Sequence, residues 1–364
     1  MKYYLIAGEA SGDLHGARLI RQLHLRDQDA EVQAWGGDLM AQAGATIKKH
    51  YRELAFMGFV EVIQNLRTIF KNIEFCKKDI QSFKPDALIL IDYPGFNLRI
   101  AQWAKAQGYK VFYYISPQLW AWKADRAKII KSSVDKLYTI LPFENAFYQP
   151  YGIIPEYVGH PLLEAVAEYK TDPEIVKKLA GSKILALLPG SRKQEISKML
   201  PLYLRATASF PEYKAVIAAA PSQPIELYEQ IMSDVGVSAE IIKNQTYDVL
   251  SLASLAWVSS GTATLETALF GVPQVVCYTG NWISYQIAKR LVKVKYISLV
   301  NLILDQAVIP ELIQDEFNIT RLVQTTQNLN ISQIKSHYSR LNQLLQPLNA
   351  SQRVASSIIS SILN

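Results

Sequence analysis

At 364 residues the chain is long for one core, and two domains of ordinary size are the expectation. Hydrophobic residues make up 49%, enough for a sizeable interior. The net charge of +6 and pI near 9.0 are too diffuse for a dedicated nucleic-acid binder, yet suit anionic small molecules or an anionic membrane surface.

Cys76 and Cys277 lie far apart without a C-x-x-C pairing, which argues for a reducing compartment and against a zinc site. The opening MKYYLIAGEASGD resembles a signal peptide for only a few residues before Glu9 and Asp13, so a cytoplasmic location is expected. No segment offers the roughly 18 consecutive apolar residues of a membrane span. The uncharged run from Thr267 to Ala288 is broken by Gly271, Pro273, Gln274, Gly280 and Asn281, and reads as buried interior.

Short apolar runs rich in Val, Ile, Tyr and Leu alternate with helical patterns, the signature of parallel βαβ units. The first predicted strand, Lys2 to Ala7, leads through a turn at Gly8 to Gly12 into a helix from Asp13 to Arg26, with Leu14, Ala17, Leu19, Ile20 and Leu23 inward. Strands predicted at Glu31 to Trp35, Asp86 to Ile91, Lys110 to Ile115 and Lys136 to Leu141 continue this sheet. Gly159-His160-Pro161 and the polar stretch Glu168 to Pro173 mark a linker. A second series follows at Ile184 to Leu188, Lys214 to Ala218, Glu240 to Ile242, Leu255 to Ser259 and Gln274 to Cys277. Lys335 to Asn364 is helical in pattern, with a break expected at Pro347 and a terminal piece able to pack back on the first domain or on a partner. The expected fold class is α/β, with two Rossmann-like domains (1–165 and 166–340) facing across a cleft and a C-terminal helix (341–364). Ligands in such sheets collect at the carboxyl ends of strands.

Four turns at those ends carry chemistry. The first, Gly8 to Asp13, lacks the dinucleotide fingerprint, but Glu9, Ser11, Gly12 and Asp13 are dense in polar and small groups beside a helix start. It is either a binding turn or a tight turn capped by Asp13. Asp92 ends an apolar strand before Tyr93-Pro94-Gly95, where burial raises a carboxyl pKa and suits it to accept a proton from a substrate hydroxyl. The competing account is a cap for a helix beginning near Asn97.

In the second domain, Leu187 to Glu195 reads as a strand, a small-residue turn at Gly190 and Ser191, then a helix starting with Arg192 and Lys193. Cations there oppose the helix dipole, and a bound diphosphate explains them better than stability does. No Walker lysine follows, so this is not a P-loop. The fourth turn, Ser259-Ser260-Gly261, opens a helix at Thr262 that carries Glu266, the only charged side chain between Val249 and Ala288. A carboxylate in so apolar a stretch needs donors. Ribose hydroxyls would serve; so would a partner within its own helix.

Two other stretches stand out. Phe59, Val60, Val62, Ile63, Leu66, Ile69 and Phe70 recur at helical spacing beside Arg67 and Lys71, which fits either core packing or an interfacial helix. Ile115 to Lys123, with Trp120 and Trp122, is either an aromatic wall or domain-edge packing. Metal signals are weak: Asp27-Gln28-Asp29 reads as a loop and no histidines pair at ligand spacing.

The blocks GEASGD, ELAFMGFVEV, IDYPGFN, SPQLWAWK, LPFE, GHPL, LLPGSR, SSGTATLETALFGVP and AKRLVKVKYISLVNLIL resemble, in the same order, the lipid-A-disaccharide synthase family along essentially the whole chain. The resemblance implies a GT-B glycosyltransferase that joins a UDP-2,3-diacylglucosamine donor to a 2,3-diacylglucosamine 1-phosphate acceptor through an inverting β-1,6 linkage. It implies a peripheral position on the inner face of the inner membrane; no cofactor, metal or nucleic acid is expected, and a homodimer is left open. Asp92 matches the family's proposed general base, Arg192 its essential arginine, Glu266 a ribose-binding glutamate, and Asn301 a polar residue after the Y-[IV]-S-L block. Gly95 stands where the family often has a second acid, so the base role falls on Asp92 alone. Val300 replaces a common proline before Asn301. Acyl chains on both substrates shift Phe59 to Phe75 toward membrane docking. The rival readings are a UDP-sugar 2-epimerase and a non-catalytic lipid-surface protein that senses nucleotide sugars.

Overall fold

The structure is a computed structural model that describes residues 1–54, 66–121, 123–280 and 295–364. Two parallel sheets organise it. The first runs through Lys2–Ala7 (β1), Glu31–Gly36 (β2), Thr46–His50 (β3), Ala87–Ile91 (β4), Val111–Tyr114 (β5), Lys136–Thr139 (β6) and Glu156–Tyr157 (β7), in the order β3-β2-β1-β4-β5-β6-β7. The second takes Lys183–Leu188 (β8), Tyr213–Ala219 (β9), Glu240–Lys243 (β10), Ala253–Ser259 (β11), Gln274–Tyr278 (β12) and Glu311–Ile313 (β13), in the order β10-β9-β8-β11-β12-β13.

The central strands are continuous apolar runs because helices cover both of their faces. Tyr3 to Ala7 and Ala87 to Ile91 are all fully buried. Three strands escape the sequence patterning: β3, β7 and β13. They lie at or beside sheet edges, where one neighbour suffices and polar residues are tolerated, as in Thr-Ile-Lys-Lys-His. The first helix begins at Ala10 rather than Asp13, and the helix after β4 begins at Pro94 rather than near Asn97, with proline in its first turn.

The chain divides into two compact units, Met1–Pro161 with Leu345–Asn364, and Leu162–Leu344. The C-terminal helical stretch is split as Pro347 requires, into Ile331–Leu344 and Ala350–Leu363. The latter packs on helix Ala10–Arg26, and Arg26 donates to Ser356 Oγ at 3.0 Å. Each unit has its own core. In the first, Trp35, Phe96, Tyr113 and Tyr148 fill one side of the sheet; in the second, Tyr203, Phe210 and Trp257 do so. Cys76 and Cys277 are free and buried. Among the described residues no helix is long and apolar enough to cross a membrane.

Candidate active site

In each sheet the strand order reverses once, and the two strands at that reversal open the crevice where α/β proteins bind ligands. In the first unit these are β1 and β4, with Ala7 opposite Ile91. Each strand then runs straight into a polar turn: Gly8-Glu9 after β1, Asp92-Tyr93 after β4.

The Asp92 turn is strained. Asp92 and Tyr93 both take left-handed backbone conformations, at φ 44° and 50°. For side-chain-bearing residues this costs on the order of 1 kcal/mol or more each and needs support from surrounding structure. Two side chains supply it through the Asp92 carbonyl oxygen: Tyr113 Oη donates at 2.6 Å and Asn97 Nδ2 at 2.8 Å. Asn97 is fully buried and also reaches the carbonyls of Ile91 and Ile6. Neither Tyr113 nor Asn97 carries a charge, and neither was marked as functional by its sequence context.

Burial pushes the Asp92 carboxyl up to about 7, and the neighbouring charge of Glu9 adds to the shift. A carboxyl poised there holds and releases a proton near neutrality, as a general base must. Glu9 caps helix Ala10–Arg26 only by position; its side chain is exposed and makes no capping bond, and Ser11 beside it is exposed as well. Gly8 is sterically required, since a Cβ there would lie 2.4 Å from the Tyr93 ring. Gly8→Ala is therefore expected to displace Tyr93 and cost ~1–3 kcal/mol of stability, read as a lowered urea midpoint; an unchanged midpoint would refute the close approach.

Gly12 and Asp13, expected to contact substrate, are also packed into the scaffold. Asp13 is buried, and its carboxylate accepts from the backbone N–H groups of Gly37, Leu39 and Met40 at 2.8, 3.1 and 3.0 Å. It thus caps the next helix, Asp38–Gln42, across the fold. A Cβ on Gly12 would press on Ala7 Cβ at 3.0 Å.

A second carboxyl in this unit, Glu144, is buried after β6 and accepts from Ile140 and Leu141 N–H at 3.1 and 2.9 Å. Burial raises it to about 7. It holds its own turn, and nothing but the LPFE block marked it in the sequence.

In the second unit the reversal lies between β8 and β11, with Leu188 opposite Val258. The turns that follow are Pro189 to Arg192 and Ser260 to Thr262. Gly190 takes φ 109°, and the exposed Ser191 and Arg192 precede helix Lys193–Thr207. Ser222 and Gln223 steady the turn by donating to the Ser191 carbonyl at 3.1 and 3.0 Å. At this helix start Arg192 has an acidic partner within its own helix. Glu195 Oε2 accepts from the N–H groups of Ser191 and Arg192 at 3.3 and 3.4 Å, and its Oε1 from Arg192 Nη1 at 3.2 Å. The turn thus already gathers donors around one anionic group. An exposed i,i+3 pair of this kind adds little to stability.

Ser260 donates from its hydroxyl to the Ile297 carbonyl at 3.1 Å, and Gly261, at φ 130°, precedes the exposed Thr262 at the start of helix Thr262–Leu269. One turn on, burial raises the Glu266 carboxyl while Tyr247 Oη, donating at 2.9 Å, works against the rise. Tyr247 packs edge-on against Tyr169 and Phe270. Asn301, expected to bind substrate, is buried with its amide fully committed. Its Nδ2 donates to the Ile309 carbonyl and Glu311 Oε1 at 2.8 and 2.9 Å, and its Oδ1 accepts from Val308 and Ile309 N–H at 2.8 and 3.0 Å. No donor or acceptor remains for a ligand.

Of the apolar stripe, Phe59, Val60, Val62 and Ile63 lie outside the described residues, as does Trp122 of the aromatic loop. Helix Leu66–Phe83 carries the rest, and it divides them. Ile73 is buried and Ile69 packs on the core, whereas Phe70 is 56% exposed and Phe75 48%. The Arg99 guanidinium sits 5.7 Å from the Phe70 ring centre.

Comparison with known proteins agrees with the resemblance read from the sequence blocks. A lipid-A-disaccharide synthase from Syntrophus aciditrophicus is 40% identical over 326 residues, covering 87% of this chain and 85% of that one. Among solved structures, the glycosyltransferase of kitacinnamycin superposes with a TM-score of 0.68 at 13% identity, covering 100% of this chain and 99% of its own. UDP-GlcNAc 2-epimerase from Neisseria meningitidis, bound to UDP-GlcNAc, gives 0.65 at 13% identity, covering 99% and 100%. At such identities these two establish the fold alone, that of GT-B glycosyltransferases and the epimerases that share it. The family profile described as lipid-A-disaccharide synthetase spans residues 3–363, and the chain belongs to that family.

Proposed function

We propose that the chain joins a UDP-2,3-diacylglucosamine donor to a 2,3-diacylglucosamine 1-phosphate acceptor and releases UDP with inversion at the anomeric carbon. As a member of its family it is a glycosyltransferase of lipid A biosynthesis. The observation that carries the catalytic assignment is the raised pKa of Asp92 at the end of β4, on a turn held in a strained conformation.

In this reading Asp92 takes the proton of the acceptor 6-hydroxyl as its oxygen attacks the anomeric carbon. The bond from that carbon to the diphosphate breaks, and UDP departs with the electron pair. Arg192 and the N–H groups of Ser191 and Arg192 meet the diphosphate charge, taking over from Glu195. Glu266, already paired with Tyr247, accepts from the ribose hydroxyls, with Ser260, Gly261 and Thr262 forming the turn beside it. Glu9 and Ser11 flank the acceptor beside Asp92. The first unit would then serve the acceptor and the membrane, the second the nucleotide sugar. Phe70 and Phe75, exposed on a helix that also bears Arg67 and Lys71, support a peripheral seat on the anionic inner face of the inner membrane.

The test is release of UDP by the purified chain in detergent micelles. Release is expected only when both acylated sugars are present. Consumption of the donor without acceptor, with appearance of its 2-epimer, would favour the epimerase reading; binding of donor without any turnover would favour a sensor.

A further inference from the structure

We propose that Glu311 is a positioning residue for the nucleotide turn Ser260-Gly261-Thr262, acting through the backbone of residues 297–299. The inference rests on the assignment of that turn to UDP.

Glu311 opens the edge strand β13 and collects four donors. Its Oε1 accepts from Ser298 N–H at 3.0 Å, Ser298 Oγ at 2.7 Å and Asn301 Nδ2 at 2.9 Å; its Oε2 accepts from Ile297 N–H at 2.9 Å. A carboxylate with this many donors is held in one orientation, and each bond is stronger than its neutral counterpart. The segment so fixed is the one that touches the turn. The Ile297 carbonyl accepts the Ser260 hydroxyl at 3.1 Å, and Leu299 N–H donates to Thr264 Oγ1 at 3.3 Å, whose hydroxyl in turn donates to the Gly261 carbonyl at 2.8 Å. Two separate links therefore run from Glu311 to the start of helix Thr262–Leu269, the helix that carries Glu266. A site held by side chains whose own positions are locked in this way loses affinity when the lock is removed, even where no ligand touches it.

The donor pattern makes one substitution selective. In Glu311→Gln the amide oxygen can still serve the three donors at the Oε1 position, but the amide nitrogen then faces Ile297 N–H, donor against donor. The link cut is the one that leads to Ser260. Isothermal titration of the full chain with UDP is expected to show an affinity loss of about tenfold for Glu311→Gln. Ser298→Ala, which removes the Ser298 Oγ bond to Glu311 and the one that Oγ accepts from Asn301 N–H at 3.2 Å but keeps the carboxylate, should lose about threefold and covers the case in which Glu311→Gln does not fold. The decisive reading is a double-mutant cycle with Ser260→Ala. If Glu311 acts through Ile297, the two losses are not additive, and Glu311→Gln costs less than about threefold in the Ser260→Ala background. A purely structural Glu311 would lower the melting temperature while leaving the UDP affinity of folded protein at the wild-type value, and that result, or additive losses in the cycle, overturns the inference. Failure of the wild-type chain to bind UDP overturns the nucleotide reading itself, and the inference with it.

Discussion

Asp92→Asn is expected to lower kcat by at least about 10²-fold, the usual loss when a positioned general base is removed, while leaving UDP affinity within about twofold of wild type. The amide keeps the shape of the carboxyl and its place on the turn, but takes up no proton from the acceptor hydroxyl. A loss of UDP affinity instead would move Asp92 out of the base role. The same residue sets the pH dependence: with its pKa near 7, the active ionised form is lost as pH falls below about 7, so kcat/KM should drop about tenfold for each further pH unit. A profile flat from pH 5 to 8 would contradict the assignment. Stability moves the other way. The carboxyl, ordinarily near 3.8, holds its proton in the folded chain up to about 7, so between those values the unfolded chain is the more ionised and folding weakens as pH rises. Asp92→Asn is relieved of that cost. Its melting temperature should match wild type near pH 3.5, overtake it as pH rises towards 7, and keep the gain above. A gain in stability with a loss of turnover is what a half-buried catalytic base on a strained turn predicts.

Arg192→Ala should cost about 10²–10³-fold in kcat/KM, the scale seen when one donor to a developing anion is deleted, with a matching loss of UDP affinity where the arginine also binds the ground state. Arg192→Lys should recover only part, because lysine brings charge without the planar fork that meets two oxygens together. Glu195 gives an internal comparison. Since its carboxylate occupies the donors assigned to the diphosphate, Glu195→Gln removes an anion that competes with the ligand and should tighten UDP binding a few-fold. Weaker binding would mean that Glu195 acts mainly by holding the Gly190 turn in shape.

Much of the site was legible because its residues break local rules. A carboxylate alone in an apolar stretch, cations at a helix start, and an acid closing a continuous hydrophobic strand each ask for a partner. The structure answers some of those demands internally. Glu195 answers Arg192, Tyr247 answers Glu266, and the N–H groups of Gly37, Leu39 and Met40 answer Asp13. Glu195 stands only three residues from Arg192, but the other partners were hidden because Asp13 meets residues 24 to 27 positions away and Glu266 meets one 19 positions away. Asn301 looked like a ligand residue for the same reason: a polar group in an apolar block is equally a binding hand or a buried clamp until its neighbours are known.

The sequence by itself determined the βαβ alternation, the central strands of both sheets and the turns that close them, because buried parallel strands need unbroken apolar runs and their ends need small or polar residues. Only the tertiary structure decided the edge strands, the left-handed backbone at Asp92 and Tyr93, and the clamps at Asp13, Asn301 and Glu311. Edge strands bury little and so leave little pattern, and a hydrogen bond between residues far apart in the chain has no periodicity to betray it; both exist only once packing has brought their partners within 3 Å or so.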